Sequence, residues 1–123
     1  METPSQTLGI VGEELAAQYL RAQGYKLLIR NYENALGELD LIAKDKGVLV
    51  FVEIKSRSSA ALGSGFESIT FKKRRQITRC ALAYLKRYCI ADVPCRFDVV
   101  SILFENEKHP VIELIKDAFP AEE

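Results

Sequence analysis

Two apolar segments joined by a four-residue polar turn constrain this chain more than any other feature. Residues 37–43, Gly-Glu-Leu-Asp-Leu-Ile-Ala, and 48–55, Val-Leu-Val-Phe-Val-Glu-Ile-Lys, are rich in Val, Leu, Ile and Phe, which favours strands. Between them Lys44-Asp45-Lys46-Gly47 predicts a hairpin turn in which Gly47 takes positive φ. Residues 48–52 are apolar without interruption, which predicts a central strand covered on both faces.

The rest of the chain supplies that cover. Leu8, Val11, Leu15, Tyr19 and Leu20 recur at helical spacing, and Gly24 stands where a helix-ending glycine belongs, so a helix is predicted over Thr7–Gln23. A strand over Tyr25–Tyr32 leads into the hairpin. After a polar loop over Ser56–Ser68, a second helix over Thr70–Tyr88 presents Ile77, Cys80, Ala81, Tyr84, Leu85 and Tyr88 as its apolar stripe. Arg96–Phe104 and Val111–Lys116 read as two further strands, joined by a turn at Glu105–Lys108, and Pro120–Glu123 read as a frayed end. The order α-β-β-β-α-β-β in 123 residues predicts one α/β domain, a mixed sheet with helices packed on it.

Composition excludes several functions. With 17 basic against 17 acidic residues, the chain cannot coat nucleic acid by bulk charge. The basic residues are nevertheless concentrated: Lys72, Lys73, Arg74, Arg75, Arg79, Lys86 and Arg87 fall in one stretch without an acidic residue. Cys80, Cys89 and Cys95 form no C-x-x-C pair and there is one histidine, His109, which argues against a disulfide framework and structural zinc. No membrane span and no signal peptide is legible, so a cytoplasmic protein is expected.

Strand side chains alternate in direction. Glu38, Asp40 and Ile42 should share one face of the first strand, with Leu39, Leu41 and Ala43 opposite. In the second, Leu49, Phe51, Glu53 and Lys55 should oppose Val48, Val50, Val52 and Ile54. Asp40 stands five residues before Asp45, and Glu53 six after Gly47, so the two acids come within one residue of facing each other. Two such charges ~4 Å apart repel by roughly 4 kcal/mol at an effective dielectric near 20. Lys55 supplies one countercharge, and a hard divalent cation, Mg²⁺ or Mn²⁺, would supply more. Asp40, Glu53 and the backbone carbonyl of Ile54 form a candidate ligand set for such an ion. Lys55 would position a water for phosphodiester hydrolysis. Arg57, Lys73 and Arg75 are candidate phosphate contacts. Gly63-Ser64-Gly65 is a weak phosphate-loop candidate and reads better as a flexible connector. Against all this stands the reading of a solvated strand face with cross-strand ion pairs, and of Asp98 with Arg96 as a strand-edge pair.

The chain resembles the YraN-type uncharacterised bacterial family, within the restriction-endonuclease-like (PD-(D/E)XK) nuclease superfamily. The resemblance is carried by Gly12-Glu13 with Ala16, Gly24-Tyr25, Asn31, residues 37–43, residues 51–57, Lys73, residues 96–100 and Ala118-Phe119. It implies a restriction-endonuclease-like αβββαβ core with Asp40, Glu53 and Lys55 in the catalytic positions. Glu13 matches the first-helix glutamate that archaeal Holliday-junction resolvases add to their site, and Glu38 is a further accessory candidate. Leu39 replaces the proline of the superfamily motif, a residue that binds no metal. The function so implied is a Mg²⁺-dependent endonuclease acting on DNA, including branched or structured DNA. The alternative is a non-catalytic nucleic-acid-binding or partner-recruiting module on the same fold. A third reading is a protein-interaction domain using an exposed sheet edge. Cleavage of two strands would favour a homodimer.

Overall fold

The turn at Lys46-Gly47 sets the register of everything around it. Both residues take positive φ, 50° and 85°, the type I′ geometry that matches strand twist. In the computed structural model, which describes residues 4–58, 69–105 and 109–122, this turn joins β2 (Gly37–Asp45) to β3 (Val48–Arg57), with Asp45 paired to Val48. The turn is therefore two residues, and Asp45 is a buried strand residue rather than part of the tip.

The strand β1 (Lys26–Asn34) pairs antiparallel with β2. Beyond β3 the chain re-enters the described region as α2 (Phe71–Arg87) and returns as β4 (Cys95–Leu103), parallel to β3. Last, β5 (Val111–Phe119) pairs antiparallel with β4, giving the sheet order β1-β2-β3-β4-β5. The mixed five-strand sheet and two helices agree with the expected αβββαβ core, and β3 is its central strand. The loop glycines 63 and 65, and most of the turn at 105–108, lie outside the described residues.

The helices cover opposite faces. On one face, Ile77, Cys80, Ala81 and Tyr84 of α2 pack on Leu49, Phe51, Phe97 and Val99. On the other, Ala16 and Leu20 of α1 (Pro4–Ala22) pack on Val50, Val52, Val100 and Ile102. The alternation read for residues 48–54 is the one observed. α1 departs from its predicted stripe: Val11 is exposed, and the buried positions are Gly12, Ala16, Ala17 and Leu20. A surface already filled by branched side chains admits a helix only where the helix is small. The helix ends as expected, with Gly24 at φ 94° and the Tyr25 N–H donating to the Leu20 carbonyl.

Two details correct the sequence reading. Asp98 is no edge pair, since β4 is interior. Its fully buried carboxylate accepts from the Tyr25 hydroxyl at 2.7 Å, from Arg96 and from the Asp117 N–H. Arg96 also reaches Asp45 at 2.6 Å, so every charge in this network is partnered. The C-terminal end is likewise pinned: Glu122 pairs with Arg74 at 3.2 Å and its N–H donates to Thr78. A carboxylate there, with the Thr70 cap on the Lys73 N–H, offsets the basic start of α2.

Candidate active site

The site forms where β2 and β3 part. Their ladder runs to the pair Leu41–Val52; the next pair in that register is Asp40 with Glu53. At that point a side chain replaces the ladder, because the Asp40 carboxylate accepts the Ile54 N–H at 2.8 Å. The strict alternation predicted for β2 breaks here. Leu39 joins Ile42 on the α2 face, whereas Leu41 and Ala43 lie on the α1 face.

The two acids meet. The Glu53 side chain is only 12% exposed, and its carboxyl donates a hydrogen bond to Asp40. Burial, then the neighbouring Asp40 charge, pushes the Glu53 pKa up to about 8. Burial raises Asp40 too, opposed first by the Ile54 N–H and then by Lys73. Lys73 of α2 stands 4.0 Å from Glu53, and Lys55 acts on both acids through its charge. Two lysines thus stand beside two carboxyls that share a proton.

The third acid comes from α1. Glu13 is half-buried, and burial, Asp40 and Glu38 in that order raise its pKa. It lines a recess of about 210 Å³ with Leu8, Gly9, Ile54, Lys55 and Ser56. Gly12 makes that approach feasible, because a Cβ there would lie 1.9 Å from the Ser56 Oγ and 3.1 Å from its Cβ.

The structure thus gathers Asp40, Glu53, Ile54, Lys55 and Glu13 at one corner. Glu38 lies at the rim and is exposed; Arg57 closes β3, half-buried, its carbonyl accepting the Phe104 N–H. Arg75 is farther along α2, its guanidinium 5.9 Å from the Phe71 ring centroid. Lys73, expected as a phosphate contact, stands instead as the ion-pair partner of Glu53. Its one signal was a basic run at a helix start, where such charges are unfavourable. Among the described residues no three His, Cys, Asp or Glu side chains come together as a metal cluster; the acid side chains in contact here are Asp40 and Glu53.

Fold and site together define an α/β protein with an αβββαβ core and a partly buried acid pair at the end of its central hairpin. The model of the uncharacterised protein family UPF0102 matches residues 12–102. The chain belongs to that family, the YraN-type group its motifs resemble. It is 44% identical over 115 residues to the UPF0102 protein of Geotalea uraniireducens, covering 94% of this chain and 91% of the relative. It is 43% identical to that of Symbiobacterium thermophilum, over 95% of this chain and 99% of the relative. The Lachnoclostridium phytofermentans protein is 46% identical, over 92% of each. No helix among the described residues is long and apolar enough to cross a membrane.

Proposed function

We propose that this protein is a divalent-metal-dependent endonuclease acting on DNA, with branched or otherwise structured DNA among its substrates. The observation that carries the reading is the Asp40–Glu53 contact: two partly buried carboxyls, each raised in pKa by burial, that converge at the end of the hairpin with lysines beside them. Burying such a pair is costly unless a cation joins it, and the oxygen donors suit Mg²⁺ or Mn²⁺. Asp40, Glu53 and the Ile54 carbonyl would hold the ion, which when bound polarises the scissile phosphate and acidifies a water.

The chain's own groups do the rest. Lys55 orients the attacking water and offsets charge developing on the phosphate. Glu13, held at a raised pKa beside Asp40, accepts the water's proton more readily than an ordinary carboxylate. Arg57, Lys73 and Arg75 hold phosphates on either side. The reading includes a cytoplasmic location, and two-strand cleavage would call for a symmetric pair of chains.

A second reading draws on the absence of a three-side-chain metal cluster among the described residues: a DNA-binding module without catalysis. It requires salt-sensitive binding that depends on Lys73 and Arg57 and ignores Asp40 and Glu53. Purified protein incubated with linear, flapped and four-way DNA in Mg²⁺ or Mn²⁺ separates the two. The nuclease reading expects cleavage that Asp40→Ala abolishes and Lys55→Ala lowers by about 100-fold or more, with circular dichroism unchanged. Undiminished cutting by either variant contradicts the assignment.

A further inference from the structure

Beside the acid pair, α2 carries a surface that the core does not consume and of which the proposed site uses only Arg75. Phe71, at the first turn, is 56% exposed, and Leu36 on the β1–β2 turn is 50% exposed. With Lys72, Arg75, Gln76 and Arg79 they line a groove of about 440 Å³. Seven of the seventeen residues of α2 are basic and none is acidic. Arg74 is committed to Glu122 and Lys73 to Glu53, but Lys72, Arg75 and Arg79 have no carboxylate partner among the described residues. Among the described residues the buried Arg75 Nε has no acceptor, and the Arg74 and Arg75 guanidinium carbons lie 5.7 and 5.9 Å from the Phe71 centroid.

We infer that this groove binds a single-stranded segment of the nucleic-acid substrate, an unpaired base stacking on Phe71 while Lys72, Arg75 and Arg79 hold the flanking phosphates. Duplex DNA or a purely acidic peptide such as polyglutamate would use the cations, but neither offers a bare aromatic face to the ring; an unpaired base does. The groove also leads to the acids. It shares Leu36 and Gln76 with a second recess that includes Gly37, Glu38 and Lys73, and Lys73 reaches Glu53. Gly37 keeps the passage open, since a Cβ there would meet the Gln76 Nε2 at 2.9 Å. A strand anchored at Phe71 therefore runs toward Glu53, as a substrate with a duplex-to-single-strand junction would require. That placement rests on the nuclease reading; the groove itself does not.

Fluorescence anisotropy in EDTA, where no metal-dependent cleavage occurs, tests it with labelled oligothymidine and with a duplex of equal length. The expected result is that Phe71→Ala weakens oligothymidine binding about ten-fold, changes duplex binding less than about two-fold, and that Phe71→Tyr restores wild-type affinity. Thermal unfolding of Phe71→Ala should match wild type, the residue being exposed. Equal losses on both probes, or none, overturn the inference. So does displacement of oligothymidine by polyglutamate whose own binding falls equally in Phe71→Ala, which would mark an acidic-peptide site. Because binding is read without metal, cleavage without ring-dependent binding removes this inference alone, and ring-dependent binding without cleavage removes the nuclease reading alone.

Discussion

Glu53 holds a proton that the unfolded chain would release, and the consequence is a pH dependence opposite to that of an ordinary salt-bridged acid. Its folded pKa of about 8 lies above the ordinary 4.5, so between those values the native state binds more protons than the unfolded one. Stability must then fall as pH rises through that window. Asp40 and Glu13 are shifted the same way. Asp45 and Glu14, held low by Arg96 and Arg30, act only at more acidic pH. Scanning calorimetry of metal-free protein should therefore show Tm dropping by about 5 °C or more between roughly pH 5 and pH 8. Glu53→Gln should remove most of that slope. A wild-type Tm that is level or rising over the same range contradicts the shared-proton description.

Among the elements, the approach of α1 to β3 decides whether Glu13 reaches the acids at all. In an exposed helix Gly→Ala stabilises by about 1 kcal/mol; at Gly12 the added methyl meets Ser56 instead. Gly12→Ala should lower stability in urea titrations by about 1 kcal/mol, and Ser56→Ala, which removes the nearer atom, should recover part of it. A Gly12→Ala protein more stable than wild type would contradict the close contact. The same contact marks a limit of sequence reading. Counting large apolar residues selected Val11 for the core, but packing against Val52 and Ile102 selected the small face of Gly12, Ala16 and Ala17. The hairpin was legible because Val48–Ile54 obeys a period of two and the Lys46-Gly47 turn fixes its register. Leu39 was not, because the period fails where the Asp40 carboxylate takes over a ladder hydrogen bond, and no local pattern announces that exchange. Lys73 lies twenty residues from Glu53 in sequence, and its approach to the acid depends on how α2 packs.

Across the whole molecule, polar chemistry is divided between two regions of one sheet. Toward the hairpin tip, Tyr25, Asp45, Arg96, Asp98 and Lys116 form a closed network with each charge answered, which locks β2, β4 and β5 together. Toward the carboxyl end of β3, Asp40 of β2 and Glu53 of β3 meet at raised pKa, with Lys55 and Lys73 beside them. Crevices at the carboxyl ends of strands are where open α/β sheets place their ligands. The contrast between a network in which every charge is answered and an acid pair held at raised pKa marks the second as the candidate functional site. The most direct test is calorimetric titration of Mn²⁺ at pH 8 into the DNA-bound protein, wild type against the Asp40→Ala, Glu53→Ala double variant. Stoichiometric binding by wild type that the double variant loses is the predicted result. The same heats from both proteins, or no binding by either, would contradict a metal site at Asp40 and Glu53.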